Sequence, residues 1–434
     1  MIFRSKRFYI SFVIISILSI IFYKYHNIIT GDGVGYYAYL RSLLFDHDLN
    51  FYNEFIVLNK NNGALPDVSK TLPNGLLPNP WSIGLSIIWA PFLVIVFWFG
   101  KLLNLNQTGF ELPYQLATYL SGIIAAWLCI RTTQKTLDLI DIKVHNAHLW
   151  LFFLCTPLIY YGLWGAGMAH IYSAASISII LYLYLRLTQS KPQRKVLILL
   201  GLTMGLSSLI RWQNILFLIP LLGVNTKLRS KLLTISLASM VFSLQIVVWW
   251  IIYQTPFMLP QGVGFFELNT INILKVLFDT PHGLLAHPVE LIGFVGYFWF
   301  SNNQRKSIFY HTLLLISVVF SLQLLTNSFL HDWFGGYSFG NRRMADFFSI
   351  YSIGFFWIIQ RLNIQKYLNY ILLFFTTLNF YQLKNFVGLS DKLALILSLL
   401  LSLLWFLNKF ISSNSHVKLA NINDMQTPSN ADNT

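Results

Sequence analysis

Apolar residues in this chain run continuously instead of alternating with polar ones. Runs near 20 residues, the length that carries a helix across a bilayer's hydrocarbon, recur from end to end. They fall at 8–23, 81–100, 113–130, 147–163, 170–187, 196–210, 212–224, 232–253, 284–300, 308–327, 345–360, 367–384 and 391–411. The pair at 196–224 reads equally as one long helix or two short ones. Isolated strands in lipid would leave backbone groups unpaired, so such runs are helices. The pattern predicts an all-α, polytopic membrane helical bundle of about 11–13 transmembrane helices. Its first outward loop carries interfacial helices. The first run lacks a small-residue cleavage site behind it and reads as a retained helix, not a signal peptide.

Charge refines this picture. Only 11% of residues are charged and the formal net charge is +14, but the basic residues gather in short segments between apolar runs: Arg4, Lys6 and Arg7; Lys191, Arg194 and Lys195; Lys227, Arg229 and Lys231; Arg305 and Lys306. That is the positive-inside pattern of a membrane protein, and it argues against nucleic acid as a partner. It places the N-terminus in the cytoplasm and the loops 24–80, 254–283 and 328–345 outside. Arg131, Lys135 and Lys143 break the rule, since counting crossings puts them outside too, and the topology of 101–146 stays open. The organisation read from this is a transmembrane domain over 1–411, containing an extracytoplasmic catalytic loop at 24–80. A polar, aromatic-poor cytoplasmic tail at 412–434 is expected to be disordered. Cys129 and Cys155 lie inside apolar runs and imply neither a disulfide framework nor a zinc site.

Candidate chemistry concentrates outside the runs. In an acid-poor chain, Asp32, Asp46, Asp48, Glu54 and Asp67 all fall in the first loop, and ionisable groups at a bilayer edge mark function more often than packing. Tyr36, Tyr37, Leu40, Leu43 and Leu44 recur at helical spacing, predicting an amphipathic interfacial helix. Asp32 precedes it as an N-cap, a functional carboxylate, or both. The flanking Gly31 and Gly33 would let another molecule approach the backbone. In FDHDLN, Asp46, His47 and Asp48 read as a helix exit, or as oxygen ligands of a hard cation such as Mg or Mn; the spacing is too generic to assign a metal. Arg211 interrupts two apolar half-segments and needs a turn, a path to the interface or an anionic partner. His282, in a Pro- and Gly-broken loop, is a candidate phosphate contact or proton shuttle. Arg342 and Arg343, behind a Gly-rich loop, offer forked donors suited to phosphate.

Taken in order along the chain, these segments resemble bacterial members of the GT-C superfamily of polytopic glycosyltransferases, of the mannosyltransferase and aminoarabinose-transferase kind. The resemblance rests on Gly-Asp opening the first outward loop and the helix YYAYLRSLLFDHDLNFYNEF after it. It rests equally on LLPNPWSIGLSIIWAPFLV at 76–94, GLSSLIRWQNILFLIPLL at 205–222, DTPHGLLAHPVELIGFVGY at 279–297 and WFGGYSFGNRRMADFFSIY at 333–351. It covers about residues 8–360. Many members carry a second acid directly after the first, whereas here Gly33 follows Asp32, which puts a paired-carboxylate or metal role in doubt.

The resemblance implies a multi-pass protein of the inner (plasma) membrane. Such a protein moves a sugar from a polyprenyl-phosphate carrier to an acceptor hydroxyl on a glycan, lipid or protein, at an extracytoplasmic site. Asp32 would be its general base. Arg342, Arg343 and Arg211, with His282, would stabilise the leaving phosphate, and Asp46 and Asp48 would contact substrate. Two competing readings share the topology and the lipid-phosphate substrate: a lipid-linked glycan flippase or transporter, and an O-antigen-type polymerase or ligase.

Overall fold

The structure, a computed structural model, describes residues 29–58, 65–189, 193–259, 262–267 and 269–388. The runs expected at 8–23 and 391–411 and the tail at 412–434 lie outside the described residues. Within them the chain is all-helical and forms no strand, only one isolated bridge between Phe266 and Leu330.

Several apolar runs each become one long helix, in one case around an internal proline, Pro91. Five such helices are long and apolar enough to cross a membrane: α3 (Gly84–Leu102), α4 (Leu112–Leu139), α6 (His170–Gln189), α8 (Leu228–Tyr253) and α11 (Tyr310–Ser328). A sixth candidate is the bent pair of α12 (Phe348–Arg361) and α13 (Leu368–Val387), which turns through 119°. The remaining α-helices are α1 (Asp32–Arg41), α2 (Tyr52–Leu58), α5 (Asn146–Leu154), α7 (Arg194–Ile210), α9 (Ile273–Phe278) and α10 (Pro288–Asn303).

The described helices thus supply fewer uninterrupted spans than the apolar runs predict, and each shortfall has a local cause. The run at 147–163 stops at Leu154 because Pro157 cannot continue a helix; the Asn379 amide donates to the freed carbonyls of Leu154 (2.8 Å) and Thr156 (3.0 Å). The run at 196–224 breaks at Arg211, whose backbone is extended (φ −144°, ψ 114°), and resumes as a 3-10 segment, Trp212–Gly223. The run at 284–300 becomes a helix only from Pro288, which suits a first turn because its missing N–H is not needed there.

Packing follows small residues. Gly293 and Gly296 of α10 face Gly354 of α12 so closely that a Cβ at Gly354 would lie 1.9 Å from the Gly293 carbonyl oxygen. α7 packs along α8, and α4 along α6. The outer faces of α3 and α8 leave Trp98, Phe99, Met240 and Trp250 exposed, an apolar surface suited to lipid.

The helix α1 departs from expectation. It is not an amphipathic surface helix: every residue from Gly33 to Arg41 is buried. It runs alongside α3, with Ser86 donating to the Tyr36 carbonyl near one end and the Phe45 ring 5.3 Å from Phe97 near the other. A π-helical extension, Ser42–Asp46, continues it to His47, whose φ of 60° ends the helix. At 1.5 Å per residue, Asp32 and Asp46 are roughly 20 Å apart along this axis. The first loop therefore delivers its acids to two separate places.

Candidate functional site

Asp32 is the first residue of α1, and the N-cap is Gly31 (φ 54°) with no side-chain cap bond. This corrects the capping reading. The glycine reading changes as well: a Cβ at Gly33 would sit 2.9 Å from the Gly167 carbonyl oxygen, so the close neighbour of this turn is the chain's own backbone. The Asp32 carboxylate, freed from capping, lies 3.1 Å from the Arg342 guanidinium, with 28% of the side chain exposed. Burial pushes this carboxyl up, but Arg342, helped by His170, a hydrogen bond from Trp81 and Arg343, outweighs burial and holds it below the ordinary carboxylate range.

Both residues line a cavity of about 880 Å³, which Arg211, Arg343 and His170 also line. That volume suits a ligand larger than one sugar ring. Each arginine there has its own aspartate. Arg343 donates to Asp332 at 2.7 Å and to the Asp332 carbonyl at 3.0 Å, and lies over the Phe265 ring. Arg211 donates to Asp346 at 2.7 Å. With its amide oxygen turned toward the guanidinium, Gln213 accepts from Arg211 Nε at 3.2 Å and Nη2 at 2.6 Å. The Nδ1 atom of His170 is 2.9 Å from both Asp346 Oδ1 and Arg211 Nη1. Protonated there it donates to the carboxylate; bare, it accepts from the guanidinium.

Arg211 thus receives both the turn and the anionic partner that its place between apolar segments demands. Its donors are taken. The Arg342 guanidinium, by contrast, has the Asp32 ion pair and no further hydrogen bond among the described residues, so most of its forked donor set is uncommitted on the cavity wall.

Asp46 and Asp48 stand elsewhere. Asp46 pairs with Arg41 and accepts from the Asn53 amide, while Asp48 accepts from the Ser42 hydroxyl at 2.6 Å and the Asn50 N–H at 3.0 Å. Arg41 joins this end of α1 to buried Glu54 (3.1 Å) and to the Thr108 carbonyl (2.8 Å). These contacts tie the helix exit to the loop before α4, and neither acid reaches the cavity. His282 does not line it either; its ring lies 6.0 Å from Phe334. Among the described residues no group of three or more His, Cys, Asp or Glu is arranged to hold a metal ion. The cavity carboxylates are each occupied by a guanidinium, so the residues do not fit a divalent-cation centre.

His170, Asp346, Asp332 and Trp81 join the site without having been singled out as candidates. Asp346 lies within the NRRMADF segment that carries the arginines. For His170, at the start of an apolar run, the sequence holds no signal beyond a lone imidazole.

The comparisons with known proteins return nothing similar: no family model, no curated protein and no solved structure matches the chain.

The pairing makes a stability prediction. Asp346 and Arg211 are 3% and 11% exposed, and removing one partner of a buried pair strands the other charge. Asp346→Asn is expected to cost about 3–5 kcal/mol. The more open Arg342–Asp32 pair is expected to contribute about 0–1 kcal/mol, so Arg342→Gln leaves stability nearly unchanged. Thermal unfolding of the purified protein in lipid nanodiscs checks both; equal losses in the two variants would contradict this ranking.

Proposed function

We propose that this protein is a membrane-embedded glycosyltransferase that moves a sugar from a polyprenyl-phosphate carrier to an acceptor hydroxyl. The observation that carries the reading is one carboxylate and one under-committed guanidinium, Asp32 and Arg342, 3.1 Å apart on the wall of a large cavity inside an apolar bundle. The bundle is read as multi-pass in the inner membrane, with the basic clusters on the cytoplasmic side and the cavity serving the extracytoplasmic side.

The reaction needs a proton acceptor beside the nucleophile and positive charge beside the leaving group. The acceptor oxygen attacks the anomeric carbon and its proton passes to Asp32. The bond from the anomeric carbon to the phosphate oxygen breaks, and its electron pair leaves on the phosphate. No proton donor is required, because Arg342 meets the growing negative charge, with Arg343 and Arg211 adding field from positions fixed by Asp332 and Asp346. A single displacement of this kind inverts the anomeric centre. The carrier's apolar chain would lie between helices, and the acceptor is a glycan, a lipid or a protein hydroxyl.

The ion pair has a role in this scheme. Arg342 holds Asp32 ionised but weakly basic in the empty site. A donor phosphate competes for the same guanidinium, and Asp32 recovers basicity once the donor is bound.

Two experiments test the reading. Asp32→Asn keeps the shape but not the basicity, so transfer from a panel of polyprenyl-phosphate sugars in proteoliposomes should fall by roughly 10²–10⁴-fold. A folded variant with near-normal turnover would remove Asp32 from the mechanism. The second is a pH profile. A base held below its ordinary range is lost only as pH falls through that lowered value, so the acid limb of kcat/KM should lie below the usual carboxylate range. Arg342→Gln removes the principal lowering influence and leaves burial opposed only by the smaller ones of His170, Trp81 and Arg343. Its acid limb should therefore move to higher pH; an unmoved limb would show that the titrating group is not Asp32.

A further inference from the structure

One arm of the cavity is left unused by the chemistry above. Its wall is a single face of α8, where Phe242, Gln245 and Trp249 follow one another at i, i+3 and i+7. The opposite face of the same helix, with Met240, Val247 and Trp250, is exposed. The polar group on the inner face is unusual for a helix this apolar. Gln245 is 1% exposed, and its Oε1 accepts from the Ile83 N–H at 2.9 Å. That bond fixes the amide's orientation and leaves Nε2 as a buried donor without an acceptor. Four residues on, the Trp249 indole N–H is also buried and unpartnered. Buried donors are ordinarily satisfied; this cavity wall carries three orphans, the third being Asn327 Nδ2 beside Arg343, and the two that share one helix face call for a common explanation.

The arm adjoins the base. Trp81, two residues from the Ile83 that anchors Gln245, is the hydrogen-bonding neighbour of Asp32. Its ring lies on α1 in space left by Gly35, where a Cβ would come within 1.9 Å of it. Asp32 therefore has the guanidinium side of the cavity, led by Arg342, as its charged surroundings and Trp81 as its uncharged neighbour on the side that leads through Ile83 to Gln245. In a single displacement, the acceptor stands by the base and away from the leaving phosphate.

We infer that this arm is the acceptor subsite and that its occupant is a saccharide. The inference rests on the transferase reading for its role and on the α8 face for its chemistry. A sugar ring presents a C–H face to aromatic rings and hydroxyl oxygens to N–H donors, which is the combination Phe242, Trp249 and Gln245 offer. A polyprenyl chain has no acceptor for either donor, and a phosphate belongs with the guanidinium groups.

The test is binding without turnover. Full-length protein in lipid nanodiscs is probed by saturation-transfer NMR with methyl α-glucoside, methyl α-mannoside and methyl α-galactoside, and separately with farnesyl phosphate. Trp249→Phe keeps the ring and removes the N–H. Gln245→Glu keeps the oxygen for Ile83 and removes the donor. At least one glycoside should bind the wild type, with its dissociation constant rising roughly three- to tenfold in each folded variant. Absence of glycoside binding, or binding indifferent to both variants, overturns the inference. So does a result in which the variants weaken farnesyl phosphate alone, which would assign the arm to the carrier chain. Because no turnover is read, saccharide binding through α8 can stand while Asp32→Asn retains activity. In that case the transferase reading fails and the site survives; the converse result separates them the other way.

Discussion

Three guanidinium groups reach one cavity inside an apolar bundle, and the rest of the site is arranged by the need to neutralise them. A charge left unpaired at the most buried of these positions, Arg211 or Asp346, is costly. Asp346 answers Arg211, Asp332 answers Arg343 and Asp32 answers Arg342. The result is a cavity that is locally neutral yet full of oriented N–H donors. Its affinity for an anion then depends on how firmly each carboxylate is held. Arg211 and Arg343 have several acceptors each, whereas Arg342 has one, at the longest of the three pair distances.

The helices supply these groups at their ends, because mid-helix positions in such a bundle face either lipid or other helices. Asp32 stands at the first turn of α1, His170 at the first turn of α6, Arg211 at the break after α7, and Asp332, Arg342 and Arg343 in the turns between α11 and α12. The break at Arg211 is both a consequence and a cause. Its extended backbone interrupts the apolar run, and the interruption turns a guanidinium toward Asp346. Gln245 and Gln323 are polar groups delivered from within helices, and the amides of Gln245 and Asn327 are left partly unsatisfied on the cavity wall.

Much of this was legible in the residues. Arg211 demanded an anion, and the meeting of Asp32 with the arginines of the Gly-rich loop follows from reading both segments as facing one side. What was not legible depended on direction. The alternation of Tyr36, Tyr37, Leu40 and Leu44 looks amphipathic on paper, but the hydroxyls of Tyr37 and Tyr39 and the Arg41 guanidinium find carbonyls and carboxylates inside the protein, and the helix is buried from Gly33 to Arg41. Once α1 runs along α3 and not along a surface, Asp46 and Asp48 fall at the wrong end to meet Asp32. Periodicity reports which residues share a face; it does not report where the helix lies. His170 and Asp346 escaped for a related reason, since they lie 176 positions apart in sequence and only the packing of α6 against the turn before α12 makes them partners.

A carboxylate held by an arginine is an unpromising base when considered alone, since stabilising its charge weakens its pull on a proton. The objection loses force if the arginine is also the phosphate's partner. Two anions then share one cation, and whichever binds it more tightly leaves the other more basic. The donor's phosphodiester carries one negative charge, as Asp32 does, but it presents its oxygens to the fork and gains charge as the bond to the sugar breaks, so in the proposed reaction it competes for Arg342. The carboxylate it displaces is 28% exposed and flanked by Trp81, and is left with less stabilisation exactly where an acceptor hydroxyl would stand. In the proposed reaction, the base would be weak while the site is empty and strong when the donor is present, a sequence that disfavours unproductive proton transfer and requires no moving part beyond the exchange of one ion pair.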